Sequence, residues 1–339
     1  MSIRSLACVL LVGAAAVGLT SRAAASVPTP GSILIFPCWD NTPGTLTLLT
    51  VTNTNHDPVN GSIDVEFVYI NGSNCHEFNR TRTLTATDEL TVATFFDHPG
   101  PGMGYVYVFA KSHTTGAAVK FDWLIGDALI ITGPHSCAFE LPPFVFKAGA
   151  ALAEGANTDL NNNHLRDFDG NEYEPVPDKL EFPSFAGSTS NLFDEIFLIN
   201  LTGGAQFTAI VDILLYNDNE EQFSAQYAFS CWSKVHLDAI SAAFTNAFLL
   251  TTNHSSSEIG GLPNAPEFGW FEVDGDVAFS TATQFTDPAI LAARNIIFQN
   301  GALVPGATLS DTRSVCVVLP FGLGTQTNGS LLSQSLLGN

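Results

Sequence analysis

Two halves of this 339-residue chain repeat one another. Leu34-Ile35-Phe36-Pro37 returns as Leu180-Glu181-Phe182-Pro183, and the run VEFVYIN at 65–71 returns as VDILLYN at 211–217. Both pairs share one offset, 146 residues, and Phe78 matches Phe223 at 145. GYVYV at 104–108 matches GWFEV at 269–273 at an offset of 165, so the second copy carries extra residues before that strand. The extra part is placed at 236–267, where an Ala-rich stretch, 237–248, reads as a short helix. A chain built of two copies must fold each copy the same way. The other reading of the matches is two unrelated β-domains of similar strand composition.

The copies read as β-structure. Residues 46–52 (LTLLTVT), 63–70 (IDVEFVYI) and 105–110 (YVYVFA) are short and rich in β-branched or aromatic residues, with turn formers between them. Asn71-Gly72 is a strong turn signal. The last run is apolar enough to be buried on one face or both. Short strands, frequent turns and little helical periodicity predict an all-β protein of two tandem antiparallel β-sandwiches, immunoglobulin-like or jelly-roll-like. Residues 129–132 are read as the last strand of the first copy. In the second copy, Asp274-Gly275 is read as a hairpin turn. Residues 287–296 are read as a helical turn with Asp287 as N-cap and Pro288 at the first helical position. The expected division is a signal peptide at 1–25, sandwiches at 26–150 and 178–322, an acidic linker at 151–177 and a flexible tail at 323–339.

The linker is the most polar run of the chain: residues 159–174 read DLNNNHLRDFDGNEYE. Calcium takes six to eight oxygen ligands, and a loop supplies them at alternate positions. Asp159, Asn161, Asn163, the Leu165 carbonyl and Asp167 fall at positions one, three, five, seven and nine. The stretch resembles the calcium loops of the EF-hand, dockerin and thrombospondin type 3 classes, which implies Ca2+ as ligand. It departs from them twice. His164 stands where those loops place glycine, and Gly170 where they place the closing acid, a role left to Glu172 or Glu174. Asn at positions three and five lowers the ligand charge and with it the affinity. The competing reading is a solvated acidic linker.

Composition narrows the setting. Arg4, an apolar stretch at 6–19 and Ala23-Ala24-Ala25 make up an export signal. The apolar stretch is short for a membrane span and no other segment approaches ~20 uninterrupted apolar residues. Losing Arg4 and Arg22 takes the formal charge from −21 to −23. That excludes nucleic acid as a partner, because phosphates need Lys and Arg. A charged fraction of only 13% argues for a large buried core. Five cysteines remain after Cys8 leaves with the signal, and an oxidising compartment pairs some of them. Cys231–Cys316 is the natural pair of the second copy. Cys38, Cys75 and Cys137 allow three pairings, with one thiol over.

No histidine motif, nucleophile elbow or phosphate loop is present. Trp39, Trp123, Trp232 and Trp270 serve either the cores or, if exposed side by side, sugar stacking. ILIFP, LLTVTNTN, VEFVYING, FNRT with LTATDELT, GYVYVFA, the DLNNN loop and YNDNEEQFSAQY together resemble a group of secreted bacterial two-domain β-sandwich proteins. The resemblance implies a bacterial, exported, two-domain protein and carries no chemistry. The expectation is a non-enzymatic structural or adhesive protein of the cell surface or extracellular space, with a protein or carbohydrate partner. A carbohydrate-binding module is the alternative. A hydrolase with the 236–267 insert as one cleft wall is the third.

Overall fold

The computed structural model describes residues 29–98, 100–132, 137–203, 206–252, 266–298 and 314–331, with backbone alone for 314–318. The expected signal peptide lies outside them. Nine strands form the first copy: β1 (Ile33–Asp40), β2 (Thr45–Asn53), β3 (Ile63–Asn71), β4 (Glu77–Leu84), β5 (Glu89–Ala93), β6 (Met103–Lys111), β7 (Leu124–Thr132), β8 (Cys137–Leu141) and β9 (Phe144–Phe146). A two-residue strand, β10 (Arg166–Asp167), sits in the central loop. The second copy holds β11 (Lys179–Ala186), β12 (Leu192–Asn200), β13 (Thr208–Asn217), β14 (Gln222–Ser230), β15 (Trp232–His236), β16 (Phe268–Phe279), β17 (Gln284–Thr286), β18 (Ile290–Phe298), β19 (Ser314–Val318) and β20 (Phe321–Leu323). The last described strand is β21 (Ser330–Leu331).

The protein is all-β and antiparallel, and its two halves have one topology. The first copy pairs its strands in the orders β4-β3-β6-β1-β9 and β5-β2-β7-β8, and the second in the orders β14-β13-β16-β11-β20 and β15-β12-β18-β19. The match extends to single residues. β1 slips register against β6 between Phe36 and Trp39, and β11 slips against β16 between Phe182 and Phe185. At each slip a buried side chain of the next strand takes the freed N–H: Thr47 Oγ1 accepts from Asp40 N at 3.0 Å, and Asp194 Oδ2 accepts from Ala186 N at 3.2 Å. Three single helical turns, at Leu237–Ile240, Ala242–Phe244 and Asn246–Leu249, fill the start of the second copy's insert and bury Phe244 and Leu249 on its core.

Four local expectations fail. The first copy does not end at 129–132, since β8 and β9 follow. Gly275 is no hairpin turn. It lies inside β16, at a β-bulge where Ile210 pairs with Val277 and Val211 with Gly275. A Cβ there would meet the Pro288 carbonyl at 2.1 Å, so close backbone approach explains the glycine. Asp287 does not cap a helix: its φ is +54°, and residues 290–298 form a strand paired on both sides, with β12 and β19. The tail is not free at 325–331. Gln326 N donates to Val176 O, β21 pairs with β10, and Leu331 is buried.

The larger correction concerns how the copies meet. Successive side chains of a strand point to opposite faces. In β12, Ile196 and Leu198 join the second copy's own core, while Phe197 and Ile199 join the core of the first. β18 splits the same way, with Ala292 in one core and Leu291 and Ala293 in the other. β1 touches β12, and β6 touches β15. The four sheets therefore stack in one sequence, and the middle interface is apolar. Trp232 crosses it and donates Nε1–H to Pro37 O at 2.8 Å. The disulfide crosses it too. Cys75 bonds Cys231 rather than Cys231 bonding Cys316, because the β3–β4 turn lies against the β14–β15 junction. Cys38 is buried, and burial pushes its thiol far above the ordinary range. The side chain of Cys316 lies outside the described residues.

One charged pair is sealed in the second copy. Arg294 is fully buried, with Nη1 donating to Asp194 Oδ1 at 3.0 Å. Burial pushes the Asp194 carboxyl up to about 6, against the pull of Arg294. A carboxyl raised in this way adds stability fully below its unfolded value of ~3.9 and loses it as pH rises through about 6. Asp194→Asn keeps an acceptor for Ala186 N and removes the titration. Denaturant unfolding is expected to show D194N gaining on the wild type between pH 4.5 and 7. A pair that stabilised by its charges would show the opposite trend.

Candidate cation loop and adjoining pocket

The central loop folds back on itself through its own polar side chains. Asn161 Oδ1 accepts from Asn163 N at 2.9 Å, and Asn163 Oδ1 accepts from Leu165 N at 2.8 Å. Asp159 Oδ2 accepts from His164 N at 3.1 Å. These short-range bonds wind residues 159–167 into a tight curl. The curl needs left-handed backbone at Asn162 (φ +56°) and His164 (φ +64°), a conformation that glycine adopts most easily. Glu172 closes the ring. Its Oε1 accepts from Leu160 N at 2.8 Å and its Oε2 from Asp167 N at 3.3 Å. It is almost wholly buried, and burial pushes its carboxyl above the usual range against the pull of those two N–H groups.

Of the residues expected to hold a cation, Asp159, Asn161, Asn163, Leu165 and Asp167 lie in this curl and Glu172 closes it, while Glu174, the other candidate for the closing acid, accepts from Lys147 N at 3.0 Å instead. The amides of Asn161 and Asn163 both donate to Asp167 Oδ2, each at 2.8 Å. Two positive ends of amide dipoles thus converge on one carboxylate oxygen, where a hard cation would bind. Asp159 is buried, and its Oδ1 has no hydrogen-bond partner among the described residues. A buried carboxylate oxygen without a donor is costly unless a positive group meets it. The partnerless Asp159 Oδ1 fits a cation, whereas Asn161 and Asn163 turn their N–H groups to Asp167 and their oxygens to backbone N–H groups. One observation tells against a strong site: among the described residues no group of three or more His, Cys, Asp and Glu side chains is gathered for a metal. The set depends on its two amides.

A cavity of about 450 Å3 adjoins the curl. One wall is the loop itself, through Asp159, Asn162, His164 and Arg166. The floor is the outer face of the first copy's sheet, through Glu66 of β3, Asn79 of β4 and Phe109 and Lys111 of β6. Lys111 Nζ lies 2.8 Å from Glu66 Oε2, and the Arg166 guanidinium sits over the Phe109 ring at 5.1 Å. Sequence reading missed Glu66, Asn79, Lys111 and Arg166 as a group. They come from three strands and a loop, and no spacing along the chain joins them.

The tryptophans do not form a row. Trp39 and Trp232 are buried, Trp123 is 40% exposed, and Trp270 stacks on Tyr216 with ring centroids 4.3 Å apart. Among the described residues no helix is long and apolar enough to cross a membrane.

No protein-family model matches the chain, and no curated protein matches it. Among solved structures it is similar to a chain of broad bean stain virus at 12% identity, covering 84% of this chain and 80% of that one with a TM-score of 0.18. It is also similar to a Pleurotus ostreatus lectin in its apo form at 12% identity, covering 86% and 83% with a TM-score of 0.13. Scores this low carry no argument about fold or function.

Proposed function

We propose that the chain is an exported, non-enzymatic binding or adhesive protein of the cell surface or extracellular space, and that its central loop takes up Ca2+. The carrying observation is the closed curl with the partnerless Asp159 Oδ1. The setting rests on the N-terminal signal and the acidic composition. The curl is no swinging linker, because it is tied at both ends to other elements. Val119 pairs with Asn157 across the first copy, and Phe168 N donates to Gly329 O of the C-terminal segment. An ion here would therefore stiffen the seam where the first copy and the chain end meet.

With two amides among its ligands the loop is a weak site, in the ~10⁻⁴–10⁻³ M class of extracellular modules. A ligand bound only by the folded state stabilises it by ~3 kcal/mol at a hundredfold excess over the dissociation constant. Calorimetric unfolding of the mature protein should show a calcium-dependent rise in Tm that chelator reverses and that magnesium does not reproduce. Asp167→Asn, at a half-exposed position, should abolish the rise while leaving the calcium-free Tm in place. An unchanged wild-type Tm in saturating calcium would sink the proposal.

A further inference from the structure

β14 is an edge strand of its sheet, and it lacks the protection the other edges carry. An edge offers a row of unpaired N–H and C=O groups, and proteins blunt it with charge, proline or shortness. β5, β8, β15 and β19 hold five residues each, and β9, β17 and β20 hold three. β4, the counterpart of β14 in the first copy, is eight residues long and carries Glu77, Arg80 and Arg82. β14 runs nine residues, QFSAQYAFS, with no charge and no proline.

The free backbone groups can be named. Asn217 N donates to Glu221 O at 3.2 Å, one step beyond the Tyr216–Gln222 pair of the β13–β14 register. Hydrogen-bonded pairs alternate with open ones along an antiparallel ladder. The odd residues of β14 therefore turn their backbone groups to β13, and Gln222, Ser224, Gln226, Ala228 and Ser230 turn theirs outward. No group among the described residues meets them. The side chains sort by the same period. Phe223, Ala225 and Tyr227 lie half-buried against the second copy's core and Phe229 is buried in it, while the even residues are exposed.

We propose that β14 pairs with β14 of a second molecule, antiparallel and across a two-fold axis. The free groups are met only where even residues face even residues, and centring the pair on Gln226 engages all of β14. Gln226 then stands beside its own counterpart, with Ser224 beside Ala228 and Gln222 beside Ser230 on the outer face. On the inner face Phe223 stands beside Phe229 and Ala225 beside Tyr227, so the half-buried rings at the edge are covered. No charge opposes a like charge at any position, and aromatic pairs placed in this way stabilise a sheet. The strand is thus complementary to itself. A two-fold contact of one strand with its own copy closes at the dimer. The inference goes beyond the calcium reading and does not depend on it.

Sedimentation velocity on the mature protein over a wide range of concentration tests it. The wild type should pass from monomer to dimer. Gln226→Glu sets two carboxylates side by side at the axis, next to the Asp212 that Gln226 now bonds in each molecule, and should weaken the dimer at least about tenfold. Gln226→Pro removes an outward N–H, leaves the bonds to β13 in place and should do the same. Both positions are exposed, so the circular dichroism spectrum should stay that of the wild type. Ser224→Lys combined with Ala228→Glu brings opposite charges together across the axis and should keep the dimer. A wild type that is monomeric throughout, a dimer untouched by either Gln226 variant, or assembly that grows past the dimer would each overturn the assignment. A monomer that takes up a foreign extended peptide at β14 would overturn it too, and would give the edge to a different partner.

Discussion

Replacing both Cys75 and Cys231 by serine is expected to lower the unfolding free energy by about 5 kcal/mol. The bond joins residues 156 apart, so cutting it releases a long closed loop in the unfolded chain. Both half-cystines hold left-handed backbone, at φ +58° and +43°. Serine inherits that conformation, so the double variant reports the cross-link and not a relaxed turn. Denaturant unfolding of the variant, and of the wild type under thiol reductant, should agree. A loss under ~1 kcal/mol in both would mean that packing alone holds the copies together.

Trp232→Ala is expected to cost about 3–5 kcal/mol, the range for removing a large buried aromatic side chain. The indole joins the first copy's core from the second, stacks near Phe197 and covers Gly72 so closely that a Cβ there would lie 2.2 Å from its Cε3. Gly72→Ala should therefore be damaging in the wild type and nearly harmless once Trp232 is alanine. Trp232 adjoins Cys231, so combining its loss with the disulfide variant should give a non-additive result. Midpoints of denaturant unfolding for the single and double variants measure both effects.

The fold was legible where the chain speaks locally, and the way the copies meet was written there too. Residues 46–52 of the first copy alternate, and Thr50 and Thr52 are partly exposed. Their counterparts in the second copy, Phe197 and Ile199, are buried at the interface. The partner sheet shows the converse. Ile33, Ile35, Tyr107 and Phe109 of the first copy are buried where the second copy has Lys179, Glu181, Glu272 and Asp274. A strand apolar at successive positions is buried on both faces. Comparing the copies position by position would have marked one two-sided sheet in each. The cysteine pairing had no such signal, because it depends on where two turns land after the copies dock. The ion loop was legible in its spacing, since its geometry is local. The cavity was not, since Glu66, Asn79 and Lys111 meet only once β3, β4 and β6 have paired.

The two copies associate through different faces, one using its β4-β3-β6-β1-β9 sheet and the other its β15-β12-β18-β19 sheet. Contacts of that unlike-to-unlike kind propagate: a third copy could add at either end, and the growth would be a fibre. The outermost sheets prevent this. The free face of the first carries Thr50, Thr52, Glu89 and Asp127, and the free face of the last carries Lys179, Asp212, Gln226 and Asp274. They act as the polar end-caps of a two-unit stack, as terminal repeats do in longer arrays. Exchanging Thr50 and Thr52 for the Phe and Ile of the second copy would reopen the growing end.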